Sequence, residues 1–214
     1  MKPEGTVFVV DDDPLVRRSL ERLLGSVNLP VRSFGTASQF REAPGPTGPS
    51  CIVLDVRMPG MSGMELQKQL AAEGATAPII FISGHGDIST VADAMRGGAI
   101  DFLEKPVSPQ RLLDRVQQAL TQDRENRCSQ AERDAVAARL ASLTPREREV
   151  VDLVVTGLTN KEIAARLGVS SQAVDAHRAK AMRKLGADSV ATLVRLVVES
   201  RRVLSENRSG RHTN

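Results

Sequence analysis

The sequence has no apolar run long enough to cross a bilayer: the longest, such as Thr6 to Val10 and Ile79 to Ile82, fall far short of the roughly 20 residues required. Met1 to Thr6 lacks the apolar core of a cleavable leader, so no membrane partner is expected and the cytoplasm is the expected location. Cysteine is scarce as well. Cys51 and Cys128 lie in different predicted domains and share no metal-ligand spacing with each other or with His85, His177 and His212. That excludes a disulfide framework and a zinc cluster of the usual spacing, and fits a reducing compartment. Internal repeats and low-complexity tracts are also missing.

What is present suits a folded chain of two parts. With 214 residues, two cores of unequal size are expected. Apolar residues make up 41% and charged residues 26%, which separates the chain from disordered and fibrous classes. The charge is unevenly spread. Residues 1–120 carry a net −2 and residues 121–214 a net +5, so a polyanion partner would meet the second half, although an excess of cations also covers plain solvated surfaces.

Over the first 120 residues, short apolar runs alternate with amphipathic stretches. The runs are Thr6 to Val10, Val31 to Phe34, Cys51 to Asp55, Ile79 to Ser83 and Ile100 to Leu103. Uninterrupted apolar runs suit strands buried on both faces, and the helical stretches between them suit βαβ crossovers, which predicts a parallel α/β sheet. Asp13-Pro14 and Ser108-Pro109 each place a capping residue before a proline at the first helical position, and Ser62 with Glu65 forms a capping-box pattern. From Ser108 the helical pattern continues through a charged stretch, Thr121 to Leu140, that has neither glycine nor proline, which predicts a helical linker. After Leu143 four short helices are expected, with capping boxes at Thr144/Glu147 and Thr159/Glu162 and glycines 157, 168 and 186 at helix ends.

Strand 1 ends in Asp11, Asp12 and Asp13, and strand 3 ends in Asp55. Open α/β sheets bind ligands beyond the carboxyl ends of their strands, and the flavodoxin-like order 2-1-3-4-5 makes strands 1 and 3 neighbours there. The converging carboxylates require a cation, and Mg2+ with oxygen ligands fits. Ser83 after strand 4 supplies a hydroxyl and Lys105 after strand 5 a positive charge, an inventory sufficient for phosphoryl transfer.

Four separated motifs, Val10-Asp11-Asp12-Asp13, Asp55-Val56-Arg57-Met58-Pro59-Gly60, Ser83-Gly84-His85-Gly86-Asp87 and Lys105-Pro106, resemble those of the receiver domains of two-component response regulators. The resemblance implies that Asp55 is the phosphoacceptor for a cognate sensor histidine kinase, that Asp12, Asp55 and the Arg57 carbonyl hold Mg2+ or Mn2+ with Asp11 assisting, and that Ser83 binds a phosphoryl oxygen. It also implies that Phe102 is an aromatic switch and that Lys105 senses the phosphate through a cis bond to Pro106. Asp13 and His85 read more simply as an N-cap and a polar loop residue.

In the second half, Leu143 to Val150, Gly157 to Ala164, Leu167 to Ser170 and Val174 to Arg178 resemble the LuxR/NarL-type helix-turn-helix domain, in its FixJ-type branch. Thr159 to Leu167 and Ser171 to Leu185 are two helices around a short turn. Val174, His177, Ala181 and Leu185 would face the core, leaving Gln172, Asp175, Ala176, Ala179 and Arg183 towards the major groove. Lys161, Arg178, Lys180 and Lys184 would lie near phosphates, and Ser170 is a further expected DNA-binding residue. Asp175 could accept a hydrogen bond from cytosine N4. The last helix, Ser189 to Glu199, corresponds to one that pairs subunits in the family, while burial of its apolar residues wholly within the chain is the alternative reading.

The expected architecture is thus a receiver over 1–121, a helical linker over 122–140, a four-helix DNA-binding domain over 141–205 and a flexible tail over 206–214. Its expected function is phosphorylation-controlled transcription, with a homodimer on activation and with promoter DNA and RNA polymerase as partners. No enzyme activity is expected beyond self-phosphorylation and self-dephosphorylation. Two rivals stand beside it. An aspartyl-phosphate hydrolase would need a second Asp two positions after the nucleophile, where Arg57 stands. A regulator that has abandoned phosphorylation would not need its acidic cluster.

Overall fold

A computed structural model describes residues 5–84 and 88–209. His85 and the last five residues of the expected tail lie outside the described residues. The first unit is built on β1 (Thr6–Val10), α1 (Pro14–Ser26), β2 (Val31–Phe34), α2 (Ala37–Glu42), β3 (Ser50–Asp55), α3 (Gly63–Ala72), β4 (Ile79–Ser83), α4 (Ile88–Arg96) and β5 (Asp101–Glu104). The five strands pair in parallel in the order β2-β1-β3-β4-β5.

Alternate strand residues point to opposite faces, so one sheet makes two cores. Val7, Val9, Cys51, Val53, Ile80 and Ile82 meet Leu20 and Leu24 of α1 and Leu112, Val116 and Leu120 of α5 (Pro109–Ala141) on one side. Phe8, Val10, Ile52, Leu54 and Phe81 meet Leu66 of α3 and Ala94 of α4 on the other. Helix starts follow the local chemistry read from the sequence. Asp13 accepts from the Leu15 N–H at 2.8 Å ahead of Pro14, and Ser62 and Glu65 close a capping box.

Two strands differ from expectation by a residue at an end. β3 begins at Ser50, a polar residue with no exposure whose N–H donates to Asp123 Oδ2 at 2.8 Å, so a side chain distant in sequence makes burial tolerable. β5 starts at Asp101 rather than Ile100 because it is an edge strand with only Leu103 fully covered, and its apolar run therefore does not mark its limits.

The helix after β5 continues unbroken from Pro109 to Ala141. The first compact unit keeps it as far as Cys128, and the second unit begins at Ser129. That second unit holds α6 (Pro145–Val155), α7 (Asn160–Leu167), α8 (Ser171–Leu185) and α9 (Val190–Ser209). Val150, Val151, Ile163, Val174, Ala181, Leu185, Leu193 and Val197 form its core. Thr144 and Thr159 cap α6 and α7 with the expected capping boxes, and Ser170 caps α8. Gly168, at φ +65°, turns the chain between α7 and α8 in the left-handed region that a side chain would resist. Helix α9 runs beyond the expected end at Glu199. Among the described residues no helix is long and apolar enough to cross a membrane.

Candidate functional site

The carboxyl ends of β1 and β3 bring Asp11 and Asp55 together, and both side chains are almost wholly buried. Lys105, one residue past β5, reaches between them. Its Nζ donates to Asp11 Oδ2 at 2.7 Å and to Asp55 Oδ1 at 2.7 Å. The Lys105–Pro106 peptide is cis, and the Lys105 N–H donates to the Ser83 carbonyl at 2.8 Å, which fixes the lysine backbone to the end of β4. Ser83 itself is buried at that strand end.

The second oxygen of Asp55, Oδ2, accepts the Arg57 N–H at 2.8 Å. Asp11 Oδ1 accepts the Asp13 N–H at 2.9 Å. Arg17 of α1 braces the same loop, its Nη1 donating to the carbonyls of Asp11 at 2.7 Å and Asp12 at 3.0 Å. Asp12 and Arg57 are exposed at the rim. Phe102 is partly buried, its ring 6.2 Å from that of Phe81. Asp13 serves as the cap of α1.

Electrostatics follow from burial and from the shared ammonium. Burial raises the Asp55 carboxyl above its ordinary value, and the Asp11 charge adds to the rise, while hydrogen bonding and charge from Lys105 and the Arg57 N–H pull it back. Burial is also the largest influence on Lys105 and pulls it down, but the bonds and charges of Asp11 and Asp55 outweigh it and leave the ammonium above its usual range. The site therefore keeps a fixed cation beside a carboxylate whose charge is poorly solvated. Among the described residues no three His, Cys, Asp or Glu side chains are already gathered as a metal cage. The two buried carboxylates turn to Lys105 instead.

Gly63, the first residue of α3, was not apparent from sequence as a site residue. A Cβ there would stand 2.0 Å from the Asp55 carbonyl oxygen, so only glycine lets α3 start this close to the acidic strand end.

The second unit presents α8. Gln172, Asp175, Ala176, Ala179, Lys180 and Arg183 are exposed, as are Lys161 on α7 and Ser170 at the cap. Val174, Ala181 and Leu185 are buried and His177 is half-buried, as the helical spacing predicts. Lys184, also exposed, has protein partners within the unit. Its Nζ donates to Glu147 at 2.6 Å and to the Ser142 carbonyl at 3.1 Å, tying the end of α8 to the start of α6. Glu147 is driven down to about 2 by the Lys184 bond first and then by the Thr144 N–H.

Arg178 donates through Nη1 to Asn160 Oδ1 at 3.1 Å, and Asn160 Nδ2 donates to Asp175 Oδ1. Sequence reading missed Asn160 and Glu147 because each acts on a partner many residues away, and Arg17 because it reaches back to carbonyls of the preceding loop rather than to a side chain. Only the capping-box pattern gave Glu147 any prior signal.

Comparison with known proteins finds matches to both parts of the chain. Residues 7–117 match the family described as response regulator receiver domain, and residues 141–197 match the bacterial regulatory proteins of the luxR family. The chain is 46% identical to Nodulation protein W of Bradyrhizobium diazoefficiens over 90% of its length and 85% of the relative's. It is 40% identical to the transcriptional regulatory protein FixJ of the same species over 94% and 98%. Among solved structures, that of the response regulator StyR matches with a TM-score of 0.85 at 46% identity, over 92% of this chain and 100% of that one.

Proposed function

The chain belongs to the response regulators that join a receiver domain to a LuxR-type DNA-binding domain, and from that premise we propose that Asp55 is the residue through which phosphorylation controls its transcriptional output. The observation that carries this reading is the bridge from Lys105 to Asp11 and Asp55 at the carboxyl ends of neighbouring strands.

In the proposed reaction a carboxylate oxygen of Asp55 attacks phosphorus on the phosphohistidine of a cognate sensor kinase. The P–N bond breaks, and its electron pair leaves with the imidazole. The Lys105 ammonium, already within hydrogen-bond reach of Asp55, shifts to a phosphoryl oxygen as charge builds there, and the Ser83 hydroxyl takes another. Phe102 follows Ser83, which changes the surface of α4, β5 and α5. The same site returns the receiver to its resting state by hydrolysis, so the protein is a regulator rather than an enzyme with an external substrate.

Receiver domains bind Mg2+ at the acidic phosphorylation site, and the residues here suit it. Asp11 and Asp55 set two buried carboxylates against one ammonium, and Asp12 adjoins them in sequence, a surplus of negative charge that a hard divalent cation relieves with oxygen ligands. Asp12, Asp55 and the Arg57 carbonyl would hold Mg2+ or Mn2+, with Asp11 assisting, and the ion would neutralise phosphoryl oxygens.

The activated receiver dimerises and two copies of α8 enter the major groove of promoter DNA in the cytoplasm, where the bound regulator acts on RNA polymerase. Lys161, Arg178, Lys180 and Arg183 are the phosphate and groove contacts in this reading, and Lys184 is a structural tie. The direct test is mass spectrometry of the full chain after treatment with acetyl phosphate and Mg2+. A phosphoryl adduct confined to Asp55 and lost in Asp55→Asn is expected; an adduct elsewhere, or none, overturns the assignment.

A further inference from the structure

Asn160 opens α7 one residue after the Thr159 cap and lies half-buried against α8. It uses both ends of its amide. Nδ2 donates to Asp175 Oδ1, and Oδ1 accepts from Arg178 Nη1 at 3.1 Å. The amine on the carboxylate and the carbonyl on the guanidinium is the only orientation of this amide that both neighbours accept. Asp175 and Arg178 are three residues apart on one face of α8, a spacing at which an acid and a base otherwise pair with each other.

We propose that Asn160 is a positioning residue for base readout, standing between Asp175 and Arg178 so that each is held for a different part of the duplex. This rests on the reading of α8 as the groove helix. With Oδ1 taken by Asn160, Asp175 presents Oδ2 as a single acceptor on the exposed face it shares with Gln172, Ala176 and Ala179. A carboxylate accepts only from an exocyclic amine in the major groove. Cytosine N4 suits it, because adenine places the N7 acceptor beside its amine and would repel the second oxygen. Arg178, steered by the amide carbonyl, keeps its remaining N–H groups for backbone phosphate.

Without the amide, Asp175 and Arg178 close on each other as an exposed ion pair, and one base contact and one phosphate contact are lost together. The arrangement also limits a cost, since a loose carboxylate next to phosphates repels them.

The test is selection from duplexes with a randomised core, using the full chain with and without acetyl phosphate, followed by salt titration on the selected duplex. The wild type is expected to select cytosine at one position of each half-site. Asn160→Ala is expected to lower that preference about fivefold, the low end for a specific base contact, and to reduce the salt slope by about one. Asp175→Asn should lose the preference and keep the slope, while Arg178→Met should do the reverse. Asn160→Asp is the second variant, because its carboxylate cannot donate to Asp175 and is favourable in the first turn of a helix; it should lose the preference while melting like the wild type.

A uniform loss of affinity in Asn160→Ala with the cytosine preference intact would reduce Asn160 to a packing role and overturn the inference. A wild-type consensus insensitive to Asp175→Asn would overturn it too. A wild type that retains no duplex in either state would instead remove the groove-helix reading on which it rests.

Discussion

At the scale of single residues, two positions carry more than their chemistry suggests. Gly63 contributes nothing but space, yet α3 starts against the Asp55 carbonyl only because no Cβ stands there. Gly63→Ala must push the helix or the strand end aside, an overpacking cost of about 1–3 kcal/mol. The expected outcome is a lower melting temperature together with slower adduct formation at Asp55; a variant that melts and phosphorylates like the wild type would show that the helix start yields freely. Glu147 is the other position. Its folded value near 2 lies below the ordinary 4.5, chiefly through Lys184, so its stabilisation is present above about pH 4.5 and is lost as pH falls towards 2. Lys184→Met should lower stability at neutral pH and flatten the pH dependence across that window. Far-UV circular dichroism melts of both proteins are the measurement, since the chain has neither tryptophan nor tyrosine to report by fluorescence. Parallel pH profiles would rule out the pair as the source.

At the scale of elements, α5 belongs to two neighbourhoods. Composition alone predicts that the stretch after Thr121 is helical, but not where the first unit lets go of it. Asp123 has no exposure and accepts from the Ser50 N–H at 2.8 Å and from Arg127 Nε at 2.7 Å, so it stitches the helix to the first residue of β3. Burial, with the Asp123 charge second, also pushes the neighbouring Cys51 thiol far above its ordinary range and keeps it inert. Removing Asp123 leaves the buried Ser50 N–H without its acceptor, at a cost of about 1–3 kcal/mol, while Arg127, 35% exposed, can turn to water. Asp123→Ala is therefore expected to destabilise the first unit by that order, and to expose residues near Arg127 to trypsin. Unchanged melting and an unchanged cleavage pattern would mean that the stitch is idle.

At the scale of the whole molecule, a phosphoryl group at one strand end must be felt by a separate DNA-binding unit. In the proposed mechanism dimerisation is that link, and it requires no fixed arrangement of the two units. Among the described residues, helix α4 carries exposed apolar side chains: Ile88 is 89% exposed and Met95 44%. Ile88→Arg should leave adduct formation at Asp55 intact while abolishing the donor-dependent dimer in sedimentation. A variant that still dimerises on treatment would move the interface away from α4.

Much of this was legible before any coordinates. Strand and helix types, the caps at Asp13, Ser62, Thr144 and Thr159 and the buried face of α8 depend on spacings of two to four residues, which a chain fixes locally. The acidic motif could be placed as well, because a parallel sheet sends its carboxyl ends to one edge. What the tertiary structure decided are the partners: Lys184 for Glu147, Asn160 between Asp175 and Arg178, Ser50 under Asp123, and one ammonium shared by Asp11 and Asp55. A polar side chain that becomes buried must find its counterpart wherever the fold delivers it, and no spacing in the chain announces where that will be.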